Sequence, residues 1–211
     1  MSLIKFLLLD CALLVIGLTL VIALQSNKEG SYIDGKLNLK EIEAMNSLNL
    51  PRLKELLELE VEARKGGSGI QLDNIIGLWN FVSVWKKNTD KEDSIASALL
   101  RLFSASLEIR KKVRDEKDPW VSITNSIRFG SLSIQFIGSG KLKGSQPLLF
   151  FFFESIELKF SKTILISRSL VIPEENNKPF FALIAKDENC KWLSARGRGG
   201  GLALWIKDPS L

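Results

Sequence analysis

Few side chains in this sequence could do chemistry. It contains no histidine, which removes Ser-His-Asp and Cys-His catalysis, His-ligated zinc and an imidazole proton shuttle together. The two cysteines, Cys11 and Cys190, lie far apart in the chain and make neither a disulfide framework nor a four-thiolate metal site. Glu154 interrupts the apolar run Pro147–Phe160, where burial would make it a candidate acid; one glutamate out of pattern is first the mark of a bulge. Gly66-Gly67-Ser68-Gly69 lacks the lysine and the strand-to-helix setting of a phosphate loop. Arg196 could hold a ligand carboxylate or phosphate through its planar fork, or pair with Asp187 or Glu188 across a hairpin. The glycine-rich stretch Arg196–Gly201 occurs once, between strand-like segments, and reads as a hairpin or bulge rather than a nucleic-acid tail. Basic residues do not interleave with aromatics as a stacking platform would require, so no nucleic-acid partner is expected. No catalytic residue, metal site or cofactor site emerges, and an enzyme is not the expectation.

The composition fits one domain of moderate size. The chain has 211 residues, 45% of them apolar and 25% charged, enough to bury a core without disulfides or metals. Its net charge of +5 biases the surface towards anionic partners, including lipid headgroups.

The elements that must position these residues change character along the chain. Residues 1–25 are strongly apolar, and Cys11–Leu24 alone would span about 21 Å as a helix, short of the roughly 30 Å hydrocarbon core. A membrane anchor that takes in Asp10 and the leucines before it is the leading expectation. A cleaved secretory peptide fits poorly, because Gln25 and Ser26 make no cleavage site, and a true start at Met45 is the third possibility. Residues 26–38 read as a polar tether. A helical lead-in follows over 39–74: Leu39–Ser47, then Pro51–Lys65 with Leu53, Leu56, Leu57 and Val61 on one face, stopped by glycines. From 75 to 208 the pattern is short apolar runs broken by turns, the signature of a mainly β, antiparallel barrel or sandwich. Expected strands are Gly77–Trp85, Ala105–Val113, Trp120–Phe129, Ser131–Ile137, Pro147–Phe160, Thr163–Ser169, Phe180–Ala185 and an interrupted Trp192–Trp205. Ser94–Phe103 reads as a short helix capped by Asp93 or Ser94.

In Pro147–Phe160, plain alternation puts Leu148, Phe150, Phe152, Ile156, Leu158 and Phe160 on one face. Leu149, Phe151 and Phe153 make the first half apolar on the other face too, so both faces need cover, from the Leu53–Val61 helix, a partner or a membrane surface.

Several landmarks, in order, carry a family likeness. Gly77-Leu78-Trp79-Asn80-Phe81 follows a leucine-rich helix and the basic-glycine turn Ala63–Gly67. Asn125 opens a middle segment. The chain closes with Trp192-Leu193-Ser194-Ala195-Arg196-Gly197, a glycine turn and the apolar Leu202–Trp205. This arrangement resembles the plastid lipid-associated proteins, or fibrillins, of plastids and cyanobacteria, over about Leu53–Trp205. The likeness departs where that family has Tyr-Leu-Asp before its last Arg-Gly; Cys190-Lys191-Trp192 stands near there instead. The resemblance implies a lipocalin-like barrel, association with membranes or lipid bodies, and binding of a lipid, quinone or carotenoid; the expected setting is the thylakoid or plasma membrane, with the domain on the cytoplasmic side. Trp79, Phe81, Phe150, Phe152 and Trp192 are then the candidates to line the barrel, with Arg196 at its mouth. Two alternatives stand beside it: a bilin-handling lyase resembling the S-type phycobiliprotein lyases, and a ligand-free interaction or assembly module at a membrane.

Overall fold

The computed structural model describes residues 49–87, 92–112 and 120–209. The expected anchor (1–25), the tether (26–38) and the helix Leu39–Ser47 lie outside the described residues. Among those described, no helix is long and apolar enough to cross a membrane.

Helix α1, Leu53–Gly66, opens with the Arg52 amide donating to Glu55 (3.0 Å), and carries Glu55 in its first turn with Arg64 and Lys65 in its last. Those charges complement the helix dipole. A single turn, α2 (Leu72–Ile75), leads into the sheet. Nine antiparallel strands follow: β1 Gly77–Trp85, β2 Ser106–Lys111, β3 Trp120–Phe129, β4 Leu132–Lys143, β5 Leu148–Phe160, β6 Thr163–Ser169, β7 Phe180–Lys186, β8 Trp192–Gly197 and β9 Leu202–Lys207. Helix α3, Ser94–Leu102, lies between β1 and β2, capped by Asp93, whose carboxylate accepts from the Ala96 amide (3.1 Å).

The order β4-β3-β2-β1-β9-β8-β7-β5-β6, with β4 also paired to β5, closes eight strands into a barrel and leaves β6 outside the ring. The divided pairing of β5 explains this. Its first residues, Leu148–Phe150, pair with β7, while Ser155–Phe160 pair with β6. The far halves of β3, β4 and β5, with β6, therefore project as an open arm beyond the closed ring.

Two apolar cores follow from alternation along the strands. Inside the barrel sit Trp79, Leu107, Ile109, Val121, Ile123, Leu149, Phe151, Leu183, Leu193, Ala195, Ala203 and Trp205. Ile70 and Ile75 close the end opposite the arm, where Trp79 Nε1–H donates to the Ile75 carbonyl (2.7 Å). The second core lies outside the sheet, where Leu53, Leu56 and Leu59 of α1 cover Val82, Trp85, Ile184, Trp192, Leu202, Leu204 and Ile206. The leucine helix thus covers β7, β8, β9 and β1, and not β5. Its buried stripe also differs from the expected one: Glu60 is buried, while Leu57 and Val61 are exposed.

Bulges shape the barrel, and those in β1 and β5 bear on the site. In β1 the pairing with β9 shifts between Phe81 and Ser83. The bulge frees backbone groups that α3 takes up: the Ser97 hydroxyl accepts from the Val84 amide (3.0 Å), and the Arg101 guanidinium donates to the Val82 carbonyl. In β5 the pairing with β4 jumps from Ile137–Ser155 to Gly138–Phe153, which leaves Glu154 as the extra residue.

Candidate functional site

The bulge at Glu154 decides which aromatic rings face inward. A one-residue insertion reverses the alternation, so side chains before and after it change faces. Leu149, Phe151 and Phe153 point into the barrel, and past the bulge the inward positions become Ile156, Leu158 and Phe160. The partners on β4 agree: Gly138 opposes Phe153 and Phe136 opposes Ile156.

These rings form a continuous aromatic belt around the interior at the arm end. Phe81 of β1 meets Trp205 of β9 edge-on, with centroids 5.7 Å apart, and Trp205 meets Phe181 of β7 at 5.6 Å. Phe181 stacks on Phe151 at 4.9 Å, Phe151 contacts Phe153 at 5.5 Å, and Phe153 contacts Phe136 of β4 at 5.4 Å. Edge-on and offset contacts at these spacings are the favourable geometries for quadrupolar rings. Burial falls off along the belt: Trp205 is 4% and Phe151 8% exposed, whereas Phe81, Phe136, Phe153 and Phe181 are half-buried.

Beyond the belt, the inner face of the arm continues apolar through Ile127 and Phe129 of β3, Ile134 of β4 and Leu158 of β5, all half-buried. Asn125 is the polar exception. It shares the inward face of β3 with Val121 and Ile123, pairs across to Phe136, and yet is exposed. An inward residue open to solvent marks where the interior can be entered. An apolar wall with one amide that both donates and accepts suits an elongated apolar molecule bearing a carbonyl or hydroxyl. Towards the closed end the interior is filled instead: Ile123 packs over Gly140, where a Cβ would fall 2.5 Å from Ile123 Cδ1.

Of the six residues expected at the site, two face inward. Trp79 is fully buried at the closed end and Phe81 stands in the belt. Phe150 and Phe152 are corrected to the outer face, because uninterrupted alternation was carried through the Glu154 bulge. There Phe150 packs on Phe180 beneath Lys143, and Phe152 on Trp120 beneath Lys178. Trp192 also faces outward, under α1.

Arg196 is corrected from the barrel mouth to the α1 interface. Its Nε donates to Glu60 Oε1 (2.5 Å), its Nη2 to Glu60 Oε2 and its Nη1 to the Gly200 carbonyl (2.7 Å). Asp187 is engaged elsewhere, accepting from the Lys191 and Trp192 amides. Arg64 adds a further bond to Glu60 (2.7 Å). Burial alone would raise the Glu60 pKa, but the hydrogen bonds from Arg196 and Arg64 outweigh it and hold the carboxyl below the usual glutamate range. Beside this pair, Leu53, Leu57, Val61 and Trp85 line a shallow cleft of about 380 Å³ between α1 and the sheet.

Glu154 is exposed at its bulge, accepting from the Ser139 hydroxyl (2.5 Å) with Lys112 Nζ 3.9 Å away. It is not the buried acid that an unbroken strand would have made it. Among the described residues no group of three or more acidic or cysteine side chains could hold a metal ion.

Phe136, Phe151, Phe153, Phe181 and Trp205 complete the belt and were not among the expected site residues. For Phe151 and Phe153 the signal was Glu154 itself, read as a change of phase.

The chain matches no protein-family model, no curated protein and no solved structure.

Proposed function

We propose that this protein is a lipocalin-like binding protein for an elongated apolar metabolite (a lipid, quinone or carotenoid) associated with photosynthetic membranes. The observation that carries the reading is the aromatic belt, which runs without a break from Phe81 to Phe136 and opens onto the apolar inner face of the arm, with Asn125 exposed on the inward side. The closed end is filled by Trp79, Ile75, Ile109, Val121 and Ile123, so the ligand lies in the arm half, flat against phenylalanine rings. The membrane setting and the ligand classes come from the fibrillin resemblance; the alternatives are a bilin-handling lyase and a ligand-free interaction module. The filled closed end favours the second of these.

The test uses the two faces of β5. A fluorescent polyene fatty acid titrated into the full chain should bind saturably. Phe153→Ala and Phe136→Ala should each weaken it by about 5- to 30-fold, as loss of one ring contact worth about 1–2 kcal/mol implies. Phe150→Ala, on the outer face, should leave affinity unchanged. Equal effects of Phe150→Ala and Phe153→Ala, or no saturable binding at all, would remove the basis for the reading.

A further inference from the structure

The arm ends in two adjoining hairpin turns, joined by a hydrogen bond from the Ser161 amide to the Ser131 carbonyl (2.5 Å). Large apolar side chains stand in solvent at the end of β5 and along the outer strand β6: Phe160 is 56% exposed, Ile164 50%, Leu165 55% and Ile166 51%. Every residue of β6 is exposed, and among the described residues the strand has one hydrogen-bonded neighbour, β5. Four exposures of this size on a projecting edge, three of them consecutive, need a partner, since a folded surface seldom leaves such a patch in water.

Charge indicates which partner. From Leu158 to Ile172 there is no acidic residue but three basic ones, Lys159, Lys162 and Arg168, and the neighbouring stretch Ser126–Ile134 adds Arg128 with no acid. Lys159 is held by Glu157 (2.8 Å), whereas Arg128, Lys162 and Arg168 enter no salt bridge among the described residues. Exposed aliphatic and phenylalanine side chains ringed by free cations match an anionic bilayer surface, where apolar groups enter the headgroup boundary and cations meet lipid phosphates. Ile164 and Ile166 flank a bulge at Leu165 and lie opposite Lys159 and Leu158, so apolar groups leave both faces of β6. A strand wetted by lipid on both sides tolerates this; a strand docked on a protein surface does not use it.

Addition of a partner strand to the free edge of β6 is the competing use. The bulge between Leu158 and Lys159 and the cations Lys162 and Arg168 work against it, because bulges and edge charges are the devices that block strand pairing. The open edge also limits depth: its unpaired backbone groups cannot leave water, so insertion stops at the headgroup boundary.

We infer that the β5–β6 tip, Phe160–Ile166 with Arg128, Lys162 and Arg168, is a docking surface for anionic lipid bilayers. It rests on the membrane association of the reading above and not on its ligand. It places the open arm of the barrel, and with it the mouth lined by Asn125 and Phe136, against the lipid.

Hydrogen–deuterium exchange on the full chain tests this, with phosphatidylcholine vesicles that contain or lack phosphatidylglycerol. The readout is local, so binding through any other segment does not imitate it. The expected result is slowed exchange across Leu158–Ile172 on the anionic vesicles alone. Leu165→Glu should abolish it, and Lys162→Gln and Arg168→Gln should each reduce vesicle partitioning by about fivefold. All three positions are solvent-exposed, so thermal melts should match wild type. A chain that floats with vesicles while Leu158–Ile172 exchanges freely would overturn the inference. So would protection that appears without vesicles and grows with protein concentration, which would assign the edge to a second copy. Protection in a protein that binds no polyene would leave the docking surface standing and remove only the ligand reading.

Discussion

Arg196→Ala removes the fork that holds Glu60 beneath helix α1. Glu60 has 9% of its side chain exposed and loses both bonds from Arg196, and the Gly200 carbonyl loses its partner. Breaking one side of a buried ion pair costs about 3–5 kcal/mol, because the remaining charge stays out of water. Here Arg196 is itself 20% exposed and Arg64, 70% exposed, keeps a bond to Glu60, which lowers the figure to about 2–3 kcal/mol. For a domain of this size that is a fall in melting temperature of about 4–12 °C. Urea titration followed by tryptophan fluorescence reads it, with Trp85 and Trp192 in the core under the same helix. The midpoint should drop with the slope unchanged. Arg196→Lys keeps the charge but not the fork and should lose about half as much. The pH dependence has a definite sign. The folded Glu60 pKa is depressed, so the pair's contribution is fully present above the unfolded glutamate value of about 4.3 and is lost as pH falls through the lower folded value. The gap between wild type and Arg196→Ala should therefore be constant near neutrality and close in acid. A gap below about 0.5 kcal/mol at neutral pH, or one that widens in acid, would refute the argument.

Two further substitutions probe the packing. Gly138→Ala puts a Cβ onto the Phe152 carbonyl, a backbone atom that cannot move aside, and should cost about 2–4 kcal/mol or prevent folding, whereas Gly140→Ala meets chiefly the end of the Ile123 side chain, with the Phe150 carbonyl 3.0 Å away, and should cost less, about 1–2 kcal/mol; chemical denaturation compares them. Leu56→Ala, fully buried under the outer sheet face, should cost about 3 kcal/mol, and Leu57→Ala, one residue on and 37% exposed, under about 1 kcal/mol by the same measurement.

Much of the secondary structure was legible because local signals agreed. Gly77–Trp85, Trp120–Phe129 and Thr163–Ser169 are strands with the expected bounds, and Asp93 caps a helix where Ser94–Phe103 suggested one. The site was less legible for a specific reason. Alternation tells which residues share a face only while the ladder is regular, and the Glu154 bulge lets β5 change face in mid-strand. Read without that shift, Phe150 and Phe152 take the place of Phe151 and Phe153. Nor does periodicity say which face of β8 looks inward: Trp192 and Arg196 share the outer one, and helix α1 supplies the cover. The Glu60–Arg196 pair joins elements far apart in sequence, and in α1 a charged residue occupies the buried stripe that a purely apolar count would give to Leu57 or Val61.

The central claim is that the arm half of the barrel holds an apolar molecule against the aromatic belt. It is tested most directly by purifying the full chain gently from a photosynthetic host and measuring, by absorbance and mass spectrometry of its organic extract, what comes with it. The account predicts one stoichiometric lipid, quinone or carotenoid in the wild type and in Phe150→Ala, and a sharply reduced yield in Phe153→Ala. A well-folded wild type with nothing bound would contradict it and leave the barrel as an interaction module; a bound tetrapyrrole would contradict the ligand class and favour bilin handling.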